Sequence, residues 1–238
     1  MLEIIDYKDI KKYKRYITTD LNHNSYLYFD RDLIHKVFFN TPTNIENLLN
    51  VINGLNIEEL IEIKKLIYKD KNIVGYSVKN YKQYKSLSKL KNRPFDLKKQ
   101  DSIKLLTTYN KILNKGFSYR DFHLGNVLLN PKTNDIKICD LDSIKPFESW
   151  EEEKYALELL LETILEYLYN IKFYHVRNIM CSNYLSNNIN EDRNNLSIEY
   201  ILKVINMSDS ETVKKYRKEM IEISRQRIYA GYGYGKFN

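Results

Sequence analysis

The stretch Tyr119-Arg-Asp-Phe-His-Leu-Gly-Asn126, followed closely by Asp140-Leu-Asp142, is the most informative part of this sequence. Between the two stretches, Val127–Leu129 and Ile136–Ile138 are rich in β-forming residues, and Asn130-Pro-Lys-Thr-Asn134 between them is typical of a turn. The pattern predicts a β-hairpin. Because a hairpin brings its two ends together, we expect the end of the first stretch to lie close to the start of the second.

The polar residues of these stretches have the chemistry that phosphoryl transfer from a nucleotide requires. That reaction needs a carboxylate to orient the attacking group, oxygen ligands for magnesium and a cation on the phosphates. Asp121 lies in a polar turn after a predicted helix, where it can face a cleft and accept a hydroxyl proton. Asn126 and Asp140 carry hard oxygen ligands of the kind that magnesium prefers. Each residue alone is equally typical of turns, so the ordered set is what indicates a site.

The segment Tyr119–Leu129 resembles the catalytic loop of protein-kinase-like enzymes, and the segment that ends at Asp142 is similar to the strand end that carries their metal-binding aspartate. The resemblance implies that Asp121 is the catalytic base. It also implies that Asn126 and Asp140 bind Mg²⁺ in the presence of ATP. Asp142 is either a second metal ligand or a solvated loop acid.

Two more residues of the loop indicate which part of this superfamily the chain resembles. His123 is typical of aminoglycoside and choline kinases, whereas Arg120 is typical of protein kinases. We assign both, with Asp121, to the predicted catalytic loop. Since Asp121 already supplies a base, we expect His123 to hydrogen-bond the loop backbone.

The resemblance extends outward in chain order and covers roughly Tyr26 to Tyr169. It implies that the strand residue Lys36 contacts the nucleotide phosphates and that Glu46, on the next helix, pairs with it. The run Glu153–Leu157 resembles the start of the buried helix of the family, which normally carries an aspartate. The run Gly75–Tyr81 is expected to be the interlobe hinge. Adenine would be received by backbone groups of this run, at Val78, Lys79 and Asn80.

Two departures from the family pattern affect the expected function. Thr18–Ser25 stands where a Gly-rich loop would cover the phosphates, and residues with side chains approach phosphates less closely than glycine does. The segment between Asp142 and Glu153 is too short for the activation segment on which protein kinases dock peptides. We therefore predict an atypical kinase that moves the γ-phosphoryl group to a hydroxyl of a protein or small molecule. The alternative is a pseudokinase that binds a nucleotide or a protein partner.

The predicted fold is α+β, a bilobal protein-kinase-like fold with a small β-rich N-lobe and a mainly helical C-lobe. The predicted boundaries are an N-lobe at residues 1–81, a linker at 82–96 and a C-lobe at 97–238. Apolar runs broken by charged turns predict strand pairs in the N-lobe, and apolar residues at helical spacing predict the helices. The strand pairs are Tyr26–Phe39 and Ile63–Tyr81; the helices are a capping-box helix from Thr43, then Leu97–Leu113, Glu151–Tyr169 and Ile198–Arg227.

Composition narrows the class of protein without identifying a ligand. The net charge is +7, but the lysines are spread along the chain, so nucleic-acid binding is not favoured; it would need a contiguous cationic face. The two cysteines, Cys139 and Cys181, do not suggest a disulfide framework, and no apolar stretch is long enough for a membrane span. We expect a soluble, cytoplasmic protein with a loose tail at Tyr229–Gly235.

Overall fold

The chain divides into two compact units with different secondary structure. The computed structural model describes residues 2–16, 25–170, 196–211, 213–215 and 218. The first unit contains Met1–Tyr84 and Leu128–Pro146, and the second contains Lys85–Val127 and Phe147–Asn238. The first is β-rich and the second mainly helical, which confirms the α+β prediction. The predictions for residues 18–24, for Cys181 and for the tail lie outside the described residues.

A six-stranded sheet forms the framework of the first unit. Its strands are β1 (Glu3–Asp6), β2 (Lys14–Tyr16), β3 (Ser25–Phe29), β4 (Leu33–Phe38), β5 (Ile63–Lys69) and β6 (Asn72–Lys79), in the order β1-β5-β6-β4-β3-β2. The antiparallel pairs β3–β4 and β5–β6 confirm the two predicted strand pairs. Asp70 and Lys71 connect β5 to β6 with positive φ angles of 51° and 68°, as a two-residue hairpin turn requires.

The N-terminal segment, which the sequence did not predict to be structured, supplies both edges of this sheet. Strand β1 pairs in parallel with β5, and β2 pairs with β3 at the opposite edge. The short helix α1 (Tyr7–Ile10) connects them. Its Ile10 is fully buried and belongs to a core cluster with Tyr28, Val37 and Ile67. One buried residue therefore anchors a segment whose strands are largely exposed. Because exposed strands do not need an apolar pattern, the sequence indicates them only weakly.

Helix α2 (Ile45–Gly54) confirms the predicted helix of the first unit but not its cap. The helix buries Ile45, Leu49 and Ile52, which are spaced as one helical face requires. Its N-cap is Asn44, with a left-handed φ of 60° and no capping side-chain hydrogen bond. The capping box predicted from Thr43 is therefore wrong, because the chain enters the helix one residue later.

In the described part of the second unit, the main helices are α3 (Phe95–Leu113), α4 (Trp150–Tyr169) and α5 (Ile198–Met207). The unit also contains strands β7 (Lys85–Ser86) and β8 (Phe117–Tyr119). The predicted helices α3 and α4 are confirmed within two residues at each end. Helix α5 ends at Ser208, whose backbone is extended, and helical residues follow again at 210–211, 213–215 and 218. The rest of the helical range predicted up to Arg227 lies outside the described residues. No helix in the described ranges is both long and apolar enough to cross a membrane.

The predicted hairpin next to the segment Tyr119–Asn126 is also confirmed. Strand β9 (Val127–Leu129) neighbours β10 (Ile136–Ile138), and the Asn130 N–H donates to the carbonyl of Asp135 at 2.8 Å to close the turn. Strand β11 (Ile144–Pro146) follows a short 3₁₀ turn. The hairpin is directly preceded by Asn126 and directly followed by the segment of Asp140.

Candidate active site

Lys36 is at the centre of the predicted site residues in the first unit. Its Nζ donates to Oδ1 of Asp140 and to Oδ1 of Asp142, the latter at 2.6 Å. The lysine is 104 positions from Asp140 in sequence, so folding of the unit brings these groups together. Asp140 has a left-handed φ of 64° after β10, and Asp142 lies in the 3₁₀ turn Leu141–Ser143.

A glycine on the neighbouring strand allows the backbone of Lys36 to approach closely. Gly75 of β6 lies opposite Val37 of β4. A Cβ atom at Gly75 would lie 2.0 Å from the carbonyl oxygen of Lys36, which is well inside van der Waals contact. The sheet next to Lys36 therefore requires glycine here for space rather than for a special backbone angle.

Tyr76 is a member of this cluster that the sequence did not reveal. It lies opposite Lys36 in the β4–β6 register and its side chain is almost fully buried. Its hydroxyl donates to Oδ1 of Asp142 at 2.9 Å, and burial together with this carboxylate raises the pKa of Tyr76. Tyr76 resembled an ordinary apolar strand residue, and the only sequence signal was its position next to Gly75.

The electrostatics of the cluster keep Lys36 charged. Burial lowers the pKa of its ammonium group, but the carboxylates of Asp142 and Asp140 more than compensate and the net effect is a raised pKa. With the side chain of Asp142 only 21% exposed and holding two partners, it is not a solvated loop acid. One cation between two carboxylates gives this cluster a formal charge of −1.

The donor set of this cluster fits a magnesium ion. Two carboxylates converge on one ammonium group, so their oxygens face a common point that favours positive charge. Within the described residues no three His, Cys, Asp or Glu side chains form a complete metal cage. Magnesium, however, is usually bound by one or two carboxylates together with phosphate oxygens and water. Asp140 and Asp142 therefore suit magnesium in a nucleotide complex.

In the second unit, Asp121 is held by Asn126 of the same loop. The amide Nδ2 of Asn126 donates to Oδ2 of Asp121 at 2.8 Å and to its carbonyl oxygen at 3.0 Å. The side chain of Asp121 remains 47% exposed. The loop thus presents an oriented carboxylate to solvent, and the oxygen of the Asn126 amide is the end that a metal would use.

His123 makes the backbone hydrogen bond that the sequence predicted. Its Nδ1 accepts from the N–H of Gly125 at 3.1 Å, which leaves the proton on Nε2, 3.9 Å from Oδ2 of Asp121. A Cβ atom at Gly125 would lie 2.7 Å from the ring. Gly125 therefore makes room for His123, and the histidine shapes the loop around the candidate base.

Arg120 connects the loop to the start of helix α4 rather than to Asp121. Its guanidinium pairs with Glu152 and lies 3.8 Å from Glu148. Ser149 caps this helix by accepting the N–H of Glu152 at 3.3 Å. The sequence did not reveal these glutamates as partners, although a cluster of acids in the first turn of a helix is a usable signal.

A buried polar network lies behind the loop. Glu153 is 1% exposed, and its Oε1 accepts from the hydroxyl of Tyr109 at 2.5 Å. The Tyr109 hydroxyl is also 3.3 Å from the hydroxyl of Ser118, which directly precedes the catalytic loop segment. Burial raises the pKa of Glu153, although the hydrogen bond from Tyr109 opposes the shift.

The remaining predicted nucleotide contacts lie elsewhere in the first unit. Glu46 does not pair with Lys36 here, since its Oε1 accepts instead from the hydroxyl of Tyr68 at 3.2 Å on the surface. Gly75–Lys79 lies within β6, and the unit boundary comes only after Tyr84. Val78 is paired on both sides in the sheet, at Ile34 and Ile63. The N–H groups of Lys79 and Asn80 donate to the carbonyls of Glu62 and Asp32, so an adenine would have to displace these bonds.

Comparison with known proteins shows the fold. The chain is similar to the solved structure of the Cydia pomonella granulovirus kinase PK-1, with a TM-score of 0.50 and 16% sequence identity. The similarity covers 69% of this chain and 71% of that chain. No family model and no curated protein matches the sequence. The chain therefore has a bilobal protein-kinase-like fold.

Proposed function

We propose that the protein is an ATP-dependent phosphotransferase that moves the γ-phosphoryl group to a hydroxyl of a protein or small molecule. The observation that carries the proposal is the pairing of Lys36 with Asp140 and Asp142 across 104 positions of sequence. It brings the candidate phosphate-binding cation together with the candidate metal-binding acids. The kinase-like fold supports the same reading. A cytoplasmic location is part of the proposal, because ATP is plentiful there.

Each residue of the two sets has a definite role in this proposal. Asp121, exposed and oriented by Asn126, accepts the proton of the acceptor hydroxyl. Lys36 stays protonated and binds phosphate oxygens. Asp140 and Asp142 of the first unit would hold magnesium, and Asn126 is the candidate metal ligand of the second unit. The metal would supply charge neutralisation on the phosphates when it is bound.

The second candidate function is a pseudokinase that binds nucleotide or a protein partner without efficient transfer. The absence of glycine from the sequence Thr18–Ser25 favours it, because residues with side chains approach phosphates less closely than glycine does. The intact Asp121, Asn126 and Asp140 favour the active enzyme instead.

The test is phosphoryl transfer by the purified protein with γ-labelled ATP, magnesium, and panels of peptide and small-molecule acceptors. We expect transfer, autophosphorylation or ATP hydrolysis in the wild type and none with Asp121→Ala, which should still bind ATP. The matched control is Asp96→Ala, since Asp96 is an exposed acid of α3 in the same unit. ATP binding without any turnover would support the pseudokinase. No ATP binding at all would exclude the enzyme and a nucleotide-binding pseudokinase, and would leave only a pseudokinase that binds a protein partner.

A further inference from the structure

The N-terminal segment of the first unit carries a group of cations, which we name the N-terminal patch. Five exposed cationic side chains lie close together in sequence, namely Lys8, Lys11, Lys12, Lys14 and Arg15. The same stretch contains two acids, Asp6 and Asp9, so that residues 6–16 keep a net charge of +3. Within the described residues, none of the five cations forms an ion pair with a carboxylate.

Acids of the neighbouring elements do not cancel this charge. The ones in ion pairs are bound to other lysines, as Glu3–Lys65 at 2.9 Å and Asp32–Lys82 at 3.3 Å. In the turn between β3 and β4, Asp30 is followed directly by the cation Arg31. The positive charge of the N-terminal patch therefore remains available to a ligand.

Aromatic rings alternate with the cations of the N-terminal patch and hold three of them. The distances from cation to ring centroid are 5.0 Å for Lys11 over Tyr7, 5.5 Å for Lys12 over Tyr13 and 4.7 Å for Arg15 over Tyr26. An aromatic face attracts a cation but does not neutralise it. These cations are therefore positioned before a ligand arrives and keep their charge.

The rings form one continuous surface because they share a hydrophobic support. The aromatic residues that pack, partly buried, against the core cluster of Ile10 are Tyr7, Tyr13 and Tyr26. Tyr26 also contacts the ring of Phe39 edge to face, with a centroid distance of 4.4 Å. Phe39 is 49% exposed, so it offers a ring to a ligand beside Arg15 and Tyr26.

The N-terminal patch lies on the face of the sheet opposite to Lys36. Side chains alternate between the two faces along a strand, and Val37 directly follows Lys36 in β4. Tyr26 pairs with Val37 in the β3–β4 register, and both belong to the face that the N-terminal segment covers. A ligand on this face would leave the Lys36 ion cluster free. The inference is therefore independent of the proposed function.

We propose that the N-terminal patch binds single-stranded nucleic acid. Lysine and arginine neutralise phosphates, and exposed aromatic rings stack on unpaired bases. An acidic peptide or an anionic membrane would use the same cations, but neither offers planar bases to Tyr26 and Phe39. The sequence did not favour this class of ligand, because its lysines are spread along the chain. Folding supplies the contiguous cationic face that such binding requires.

The test is fluorescence anisotropy of a labelled oligothymidylate of about 12 nucleotides, titrated with the full chain at several salt concentrations. We expect saturable binding that weakens as salt is raised. The double variant Lys11→Gln with Lys12→Gln should weaken binding about tenfold and make the slope of log affinity against log salt shallower by about 1.4, since each phosphate contact contributes about 0.7.

The matched control is the double variant Lys89→Gln with Lys132→Gln. It removes the same charge at two exposed lysines outside the N-terminal patch. Both the affinity and the salt slope should stay close to those of the wild type. Equal effects of the two double variants would show that only net charge matters, and would overturn the proposal.

Phe39→Leu tests the stacking, because it keeps an apolar side chain and removes the ring. It should weaken binding by about fivefold or more, the effect of losing one stacked base, without changing the salt slope. Phe147→Leu, at an exposed phenylalanine of the second unit, is the control and should bind as the wild type does. An unchanged affinity in Phe39→Leu would reduce the binding to charge alone and overturn the assignment to nucleic acid.

Other ligands are separated by further probes. Lys36→Met should bind the oligonucleotide as the wild type does, whereas a loss would place the oligonucleotide at the predicted nucleotide site and contradict the proposal. Polyglutamate and vesicles that contain phosphatidylserine should bind more weakly than the oligonucleotide at the same salt concentration. Tighter binding of either one, or no binding of the oligonucleotide, would overturn the proposal.

Discussion

The two sets of candidate site residues differ in the charges that surround them. In the first unit, Lys36 is enclosed by two carboxylates and a buried tyrosine, and every group is charged or bound to a charge. In the second unit, Asp121 is held by the neutral amide of Asn126 and is about half exposed. Arg120, the nearest cation in sequence, is occupied by Glu152.

This difference fits two separate roles in the proposed reaction, one in binding the phosphates and metal and one in accepting the proton. Phosphates and metal ions require fixed charges, and an ordered ion cluster supplies them before the ligand arrives. A general base must instead meet an acceptor and take its proton, so its carboxylate has to be reachable and not neutralised by a tightly bound cation. Under the proposed function, the first cluster is therefore suited to binding, and the second to the transfer step.

The largest expected effect separates these roles directly. Asp121→Asn and Asp140→Asn should each reduce transfer by about 10²–10⁴-fold, the usual contribution of a general base and a comparable one for a metal ligand. Only Asp140→Asn should also weaken magnesium-dependent ATP binding. Equilibrium binding of a fluorescent ATP analogue, with and without magnesium, measures the difference. Equal loss of ATP binding in both variants would contradict the proposal that Asp140 serves binding and Asp121 serves only the transfer step.

Gly75→Ala should destabilise the first unit by at least about 1–3 kcal/mol, the cost of overpacking, because its Cβ would overlap the Lys36 carbonyl. Gly54→Ala is the control, since nothing lies within 4 Å of a Cβ at that helical position. It should be neutral or stabilising by about 0.5–1 kcal/mol. Urea unfolding measures both changes. Similar stabilities would show that the close approach at Lys36 is not needed.

Tyr76→Phe tests the buried support of the ion cluster. Loss of its hydrogen bond to Asp142 should lower the free energy of unfolding by about 1.5 kcal/mol, as for bonds to charged groups. Tyr68→Phe removes an equivalent tyrosine-to-carboxylate bond on the surface, to Glu46, and should cost less than about 0.5 kcal/mol. An equally large effect at Tyr68 would mean that burial does not set the difference.

The smallest expected effect concerns pH and Glu153, the buried acid next to the predicted catalytic loop. Since the pKa of Glu153 is raised in the folded chain, the unfolded chain loses this proton first, and stability should fall as pH rises from the ordinary value of about 4.5. Glu153→Gln keeps an acceptor for Tyr109 and should remove this part of the fall. Glu151→Gln, on the exposed side of the same helix, should not. Urea unfolding between pH 4 and pH 7.5 measures the slopes, and an unchanged slope in Glu153→Gln would refute the assignment.

Much of the secondary structure could be predicted because its signals are local. The turn at Asp70 and Lys71, the apolar spacing of α3 and the hairpin β9–β10 all depend on residues that are close in sequence. The N-terminal strands were missed because their stability comes from pairing with β5 and β3, not from an alternating pattern. The predicted N-cap of α2 was wrong because the backbone conformation where the chain enters the helix, and not the residue type at Thr43, decides which residue is the N-cap.

The sequence by itself determined the local arrangement of the segment Tyr119–Asn126, because Asp121, His123 and Asn126 contact one another over a few residues of backbone. Only the tertiary structure decided that Lys36 pairs with Asp140 and Asp142 and that Tyr76 donates a hydrogen bond to Asp142. It also decided that Glu46 accepts from Tyr68 and does not pair with Lys36. Those contacts join residues up to 106 positions apart, and they depend on sheet register and burial, for which a linear pattern carries no signal.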